Sequence, residues 1–286
     1  MCSDSVLVPL LKWAGGKRWF VSAYSHLIPH FSGRYIEPFL GSGAVFFSLR
    51  PQSAVLGDRN RELVDTYRAV KDDWRAVSAL LRYHLAHHSA DYYYRIRSFM
   101  PGLGCEKAAR LIYLNRMCWN GLYRVNARGE FNVPLGGRAD TRVDDNHLER
   151  VSEALQKAEL RDCGFESLIE EAGRGDLLFV DPPYTVCHSK NGFIKYNEAL
   201  FSWADQERLA GCLIEAQERG AYVVATNAPH DSVRALYDRH FTLLGVGRFS
   251  PMSGKAESRG TYNELIILSP SRVPSLVENL GAVAAG

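Results

Sequence analysis

A mostly parallel α/β sheet is the architecture this sequence predicts. Its apolar runs are short and continuous, as in Leu177-Leu178-Phe179-Val180 and Tyr222-Val223-Val224-Ala225-Thr226. Strands buried on both faces read this way, whereas half-exposed strands alternate. The runs stop at polar or turn residues, Asp181 after Val180 and Asn227 after Thr226, and the stretches between runs carry apolar residues at the three-to-four spacing of amphipathic helices. The 286 residues, 46% of them hydrophobic, suffice for one large or two ordinary domains.

Near the N-terminus, Leu10-Leu11-Lys12-Trp13-Ala14-Gly15-Gly16-Lys17 leads into a helix through Leu27. Paired glycines let a backbone approach a ligand closely, and the Trp13 ring and Lys17 charge stand beside them. A phosphate-binding P-loop fits badly, because that motif needs an earlier glycine and a hydroxyl residue where Arg18 stands. Tyr35-Ile36-Glu37-Pro38-Phe39-Leu40-Gly41-Ser42-Gly43 reads as a short strand and a glycine turn, with a helix starting over Ala44 to Leu49. That order turns backbone N–H groups and a helix N-terminus toward a polar ligand. Ala54-Val55-Leu56-Gly57-Asp58 is a second strand ending in an acid, the position from which a ribose is held in such folds. Together the two predict a nucleoside cofactor site.

From Arg59 to about Leu85 a helix is predicted, with Leu63, Tyr67, Val70, Trp74, Val77, Leu80 and Leu81 as its core stripe. His84, His87 and His88 lack a carboxylate at matching spacing and read as a solvated helix end rather than a metal site. Tyr92, Tyr93 and Tyr94 read as helix packing, and a further helix runs from Glu106 to Met117. The next stretch, Asn115 to Pro134, is rich in Asn, Gly, Arg and aromatics, with Asn126 to Gly129 as a hairpin turn. Arg for guanine, apolar side chains for the thymine methyl, Asn for phosphate or adenine and Trp119 as a wedge make a base-reading inventory. The whole chain has a formal net charge of only +2, yet Tyr92 to Arg142 holds nine basic residues against three acidic ones. Such a local excess is the footprint of a phosphate-backbone partner.

A helix over Leu148 to Lys157 precedes the strand and exit Ala158 to Phe165, where Phe165 can flank an adenine ring. Then comes the chemistry. Leu177 to Val180 runs into Asp181-Pro182-Pro183-Tyr184, and two prolines cannot continue a central strand, so the chain turns out of the sheet at Asp181. The carboxyl ends of parallel strands are where open α/β sheets bind ligands. Asp181 and the Pro182 carbonyl offer two acceptors and Tyr184 a flat face, a set suited to a planar ring with an exocyclic amino group. Accepting hydrogen bonds from both N–H groups frees the nitrogen lone pair for in-line attack. Beyond lie a polar loop from Thr185 to Asn197, a helix from Ala204 to Arg219, the strand Tyr222 to Asn227, and an antiparallel pair around Phe241–Gly247 and Tyr262–Leu268, joined by a polar loop from Ser250. The 271–286 tail reads as disordered.

Several classes are disfavoured. The N-terminus shows no charged-then-apolar leader and no apolar run is long enough to span a bilayer, so a soluble cytoplasmic protein without a membrane partner is expected. The six cysteines are widely spaced with no C-x-x-C pair, which argues for free thiols over disulfides or zinc.

With these motifs assembled, the chain resembles the Dam family of DNA adenine-N6 methyltransferases. The likeness rests on Lys12 to Lys17, Glu37 to Gly43, Leu114-Asn115-Arg116, Asn120-Gly121-Leu122, Arg128-Gly129-Glu130-Phe131-Asn132-Val133-Pro134 and Asp181 to Tyr184, in that order. It implies a Rossmann-like S-adenosylmethionine-dependent methyltransferase sheet, mostly parallel with an antiparallel terminal strand, and an inserted helical DNA-recognition domain. The implied division is a catalytic domain in two parts, 1–58 and 146–270, flanking a recognition domain over 59–145 with its hairpin at about 118–136. S-adenosyl-L-methionine is the implied methyl donor, held by Trp13, Ala14, Gly15, Lys17, Glu37, Phe39, Gly41, Ser42, Gly43, Asp58, Phe165 and Asp181, with no metal. Asp181, Pro182, Pro183 and Tyr184 would form the pocket for a flipped adenine. Lys12, Leu122, Arg124 and Pro134 fall where GATC-methylating members read their site, Trp119 and Asn120 where residues fill the gap in the stack, and Asn126, Asn132 and Arg138 complete the DNA-binding set. A monomer acting on double-stranded DNA in a bacterial or phage-infected cell is expected. The alternatives are a methyltransferase for an amino group in RNA and a catalytically dead DNA-binding regulator.

Overall fold

A computed structural model of the chain describes residues 6–137, 142–185, 201–249 and 261–270. Arg138, the loops read over 186–197 and 250–260, and the 271–286 tail lie outside the described residues. Two compact units divide the chain, the first comprising Met1–Val21 and Leu40–Cys163, the second Ser22–Phe39 and Gly164–Gly286. The described residues contain seven strands with helices before and after them, a mixed α/β fold of the kind the sequence predicts.

In the first unit, β2 (Ala54–Asp58) and β3 (Ala158–Asp162) pair in parallel, from Ala54 opposite Ala158 to Asp58 opposite Asp162 (β1 lies in the second unit). The helices are α2 (Ala44–Leu49), α3 (Arg61–Ala86), α4 (Ala90–Ser98), α5 (Gly104–Met117) and α6 (Asp145–Gln156), while α1 (Arg18–Tyr24) crosses the division between units. Asn60 starts α3 by accepting a hydrogen bond from the Leu63 N–H (3.2 Å), and Leu63, Tyr67, Val70, Val77, Leu81 and Leu85 form its buried stripe. The helix is broken at Asp73 (φ −149°, ψ 74°), whose carboxylate accepts from the Ala76 N–H (2.9 Å) and so caps the second half. Trp74 and Leu80, assigned to the stripe from their spacing, are half-buried.

The α5 helix packs against α3 and is buried on nearly every side, which takes Arg110 and Asn115 inside with it. Arg110 donates to the carbonyls of Ile96 (3.0 Å) and Arg97 (2.8 Å) and pairs with Glu62 (3.3 Å). The last carbonyls of a helix lack intrahelical partners, so this guanidinium caps α4 from the interior. Arg110 therefore cannot be counted in the basic surface its charge suggests. His84 and His88 likewise depart from a solvated helix end. Both are half-buried, with Nδ1 of His84 2.7 Å from the Tyr92 hydroxyl and Nδ1 of His88 2.9 Å from that of Tyr113.

In the second unit the strands run in the order β1 (Tyr35–Glu37), β4 (Leu177–Val180), β5 (Tyr222–Asn227), β7 (Thr261–Leu268), β6 (Thr242–Phe249). The first three are parallel, and β7 is antiparallel to both β5 and β6. Every β4 residue is fully buried, which explains its unbroken apolar run. Helices α7 (Phe165–Glu170), α8 (Trp203–Glu218) and α9 (Asp231–Tyr237) belong to this unit. Ser202 and Asp205 cap α8 reciprocally, each side chain bonding the other's backbone N–H.

Candidate active site and nucleic-acid interface

Within the first unit, the lysine-glycine motif and the glycine turn lie on each other. Gly41 (φ 49°) and Gly43 (φ 67°) take the left-handed conformation that side chains resist. The space a Gly41 side chain would occupy belongs to the Trp13 indole, for a Cβ there would sit 3.0 Å from Trp13 Cδ1. Gly16 faces Ser42 in the same way, 3.3 Å from its Oγ. Asp58, at the end of β2, fixes the turn by accepting from the Gly41 N–H (3.0 Å) and the Asn60 N–H (2.9 Å). Burial pushes the Asp58 carboxyl above its ordinary value, and those backbone bonds oppose the shift. Lys17 is 5% exposed and donates to the Gly15 carbonyl (2.8 Å).

Tyr123 stacks on Trp13 at 4.9 Å between centroids and 23° between planes. The Tyr123 hydroxyl donates to Glu62 (2.8 Å), the carboxylate that also pairs with Arg110. Neither Tyr123 nor Glu62 stands out in the sequence. Asn115 ties Lys12 to Gly121, accepting from the Lys12 N–H (2.8 Å) and donating to the carbonyls of Lys12 (2.9 Å) and Gly121 (3.0 Å). Lys12 is thereby brought against Gly121, beside Asn120 and Leu122.

The segment from Cys118 to Leu135 is a hairpin. Trp119 N–H bonds the Pro134 carbonyl (2.9 Å), Asn132 N–H that of Arg124 (3.0 Å), and Asn126 N–H that of Glu130 (2.9 Å). Its tip is the turn read from the sequence, closed by the Gly129 N–H on the Asn126 carbonyl (2.9 Å), with Gly129 at φ 77°. Asn126 Oδ1 accepts from the Arg128 and Glu130 N–H groups (2.9 and 3.0 Å), which stiffens the tip. Arg124 is exposed and aimed by Asn132, whose Oδ1 accepts from its Nε (2.7 Å). Trp119 is 51% exposed at the other end of the hairpin, with Asn120 exposed beside it at φ 55°. Leu122 is half-buried and Pro134 exposed.

In the second unit the chain leaves β4 at Asp181, and neighbours from three other elements hold the corner. Thr226, fully buried near the end of β5, donates its hydroxyl proton to Asp181 Oδ1 (2.8 Å). The Tyr184 hydroxyl donates to Oε2 of Glu264 on β7 (2.5 Å). Gln206 on α8 donates to the Pro183 carbonyl (3.3 Å) and the Thr185 hydroxyl (3.1 Å), and accepts from Asn227 (3.0 Å). The Pro183 carbonyl thus has an internal partner. Burial, with the negative charges of Asp181 and Glu264, raises the Tyr184 phenol well above its ordinary range, so it remains a donor at neutral pH. Glu37 is buried and accepts from the Tyr35 hydroxyl (2.9 Å), and Phe39 stacks on Phe165 (5.5 Å, 23°) and meets Phe201 edge-on. Phe165 opens α7 and is 2% exposed within this trio. Thr226, Gln206 and Glu264 carry no motif, and only the tertiary structure brings them to the Asp-Pro-Pro-Tyr corner.

The D12 class N6 adenine-specific DNA methyltransferase family matches residues 13–252. A type II methyltransferase of Lactococcus lactis subsp. cremoris, M1.LlaDCHI, is 35% identical over 270 residues, covering 91% of this chain and 95% of that protein. The type II methyltransferase M.MjaIII of Methanocaldococcus jannaschii is 33% identical, covering 91% and 98% of the two chains. The DNA adenine methylase of Haemophilus influenzae is 30% identical, covering 92% and 94%. An Asp-Pro-Pro-Tyr corner at the carboxyl end of a buried parallel strand, a lysine-glycine motif laid on a glycine turn and a family match over most of its length make this chain a member of the D12 class of N6 adenine-specific DNA methyltransferases.

Proposed function

We propose that this enzyme transfers a methyl group from S-adenosyl-L-methionine to N6 of the adenine in GATC, acting on a base flipped out of double-stranded DNA. The observation that carries the reading is the corner after β4, where Asp181 is oriented by Thr226 and Tyr184 is tethered to Glu264. Asp181 and the Pro182 carbonyl then accept the two N–H groups of the adenine amine, while the Tyr184 ring stacks on the base. Two such hydrogen bonds draw the nitrogen toward a tetrahedral shape and expose its lone pair. Holding it in line with the donor supplies much of the rate.

The first unit's residues suit a sulfonium nucleoside. Asp58 accepts from the backbone N–H groups of Gly41 and Asn60, with that of Arg59 also bonding it, and of the roughly four acceptor sites of a carboxylate this leaves one for a ribose hydroxyl. A Cβ on Gly15 would meet nothing within 4 Å, so Gly15, unlike Gly16, leaves open space between Trp13 and Lys17 in the chain. When bound, the cofactor supplies a methyl group activated by a positive sulfur. We assign sequence reading to the hairpin, within a recognition domain spanning 59–145, together with Lys12. Arg124 is the guanine reader, Leu122 and Pro134 the apolar contacts, and Trp119 and Asn120 the group that fills the gap left by the flipped base. Unstacking costs a few kcal/mol, which Trp119 insertion and Tyr184 stacking offset.

The test is transfer of labelled methyl to matched duplexes, one with GATC and one with that site scrambled, followed by nucleoside analysis. N6-methyladenine in the GATC duplex alone supports the proposal. Equal transfer to both would keep the chemistry and remove the assignment of Leu122 and Arg124.

A further inference from the structure

The sequence of β7 poses a problem that its role in the sheet does not solve. Leu265, Ile266 and Ile267 are fully buried apolar residues, as an interior strand requires, yet Glu264 beside them is only 3% exposed. A buried carboxylate is costly unless hydrogen-bonded, and a sheet strand gains nothing from one. Glu264 lies one residue past Leu265, which pairs with Asn227 at the carboxyl end of β5. That end of the sheet is where Asp181 emerges, and there Glu264 accepts the Tyr184 hydroxyl at 2.5 Å.

We infer that Glu264 is a positioning residue for methyl transfer, holding the Tyr184 ring in place by its far end. The inference rests on the stacking role proposed for Tyr184. A tyrosine ring swings about χ1 and spins about χ2; the hydroxyl oxygen lies on the χ2 axis, so fastening it to Glu264 stops the swing that would carry the ring away from its place at the corner. A phenol also has only one proton. With that proton on Glu264, Tyr184 does not take an acceptor site on Asp181, whose orienting donor is instead Thr226. Glu264 acts here through its bond to the Tyr184 hydroxyl.

The experiment is a double-mutant cycle on steady-state transfer to a GATC duplex, using E264A, E264Q, Y184F and the double variant Y184F/E264A. E264A is expected to lower kcat by on the order of tenfold to a hundredfold, as misplacement of a reacting group does. KM for the duplex and calorimetric affinity for S-adenosylmethionine stay at wild-type values. E264Q retains an acceptor for the phenol and recovers most of the rate. Y184F shows a loss similar to that of E264A, and adding E264A to Y184F costs nothing further. A duplex with 2-aminopurine at the target position supplies an independent readout, with fluorescence less quenched in E264A than in wild type. Wild-type kcat in E264A, or losses that multiply in the double variant, would overturn the inference. Failure of the wild type to form N6-methyladenine would instead strike the proposed function, so the two outcomes are separable.

Discussion

Thr226 donates its hydroxyl proton to Asp181 Oδ1 across 2.8 Å, linking the residue before the end of β5 to the first residue beyond β4. Thr226 is fully buried, so valine fills its place without a cavity while removing the donor. A hydrogen bond to a charged group contributes about 1.5–3 kcal/mol. Thr226→Val is therefore expected to lower kcat roughly 10- to 100-fold with little change in thermal midpoint. Steady-state kinetics beside a melting curve checks it, and an unchanged kcat would remove Thr226 from the account.

Gly41→Ala strikes the first unit in two ways. It forces a side chain into a left-handed conformation, which costs about 1–2 kcal/mol, and it pushes a Cβ to 3.0 Å from the Trp13 ring. Affinity for S-adenosylmethionine is expected to fall by about tenfold, the equivalent of 1.4 kcal/mol. Isothermal calorimetry on the folded variant measures this directly.

Asn115→Leu removes the clamp on Lys12 and Gly121. The Lys12 N–H and two carbonyls lose their partner, and each buried orphan costs about 1–3 kcal/mol. A lower urea midpoint is expected. Because Lys12 and the hairpin are held by the same carboxamide, discrimination between GATC and single-base variants should weaken as well.

Acid should loosen the helical part of the first unit through His84. Its pKa is lowered by burial, by the Arg110 charge and by His87, so the folded protein resists a proton the unfolded chain accepts. Stability is therefore unaffected by this group well above pH 6.5, its ordinary value, and falls as pH drops below it until the folded-state pKa is passed. Urea unfolding between pH 7.5 and pH 5, roughly the range in which histidine titrates, should show that decline. His84→Gln, which still bonds the Tyr92 hydroxyl, should show a smaller one.

Much of the architecture was legible because local chemistry fixed it. The apolar run Leu177 to Val180 had to be a doubly covered strand, and two prolines had to end it. The Asn126 to Gly129 turn followed from residues that favour one backbone geometry. What escaped depends on distance along the chain. Thr226 and Glu264 lie 45 and 80 residues from the side chains they hold, and neither has a spacing that betrays it. Arg110 shows the converse error. Its charge counts toward a basic surface in the sequence, whereas burial turns it into an internal helix cap. The His84 and His88 readings failed similarly, since tyrosines from α4 and α5 cover what the α3 pattern leaves open.

The central claim is that Asp181 performs the chemistry by holding the amine. The most direct measurement is single-turnover methyl transfer to a GATC duplex by wild type and Asp181→Ala, with duplex binding followed in parallel. The account predicts N6-methyladenine from the wild type, none above background from the variant, and duplex affinity within about threefold, less than 0.7 kcal/mol, in both. Transfer by Asp181→Ala at a rate near that of the wild type would contradict it.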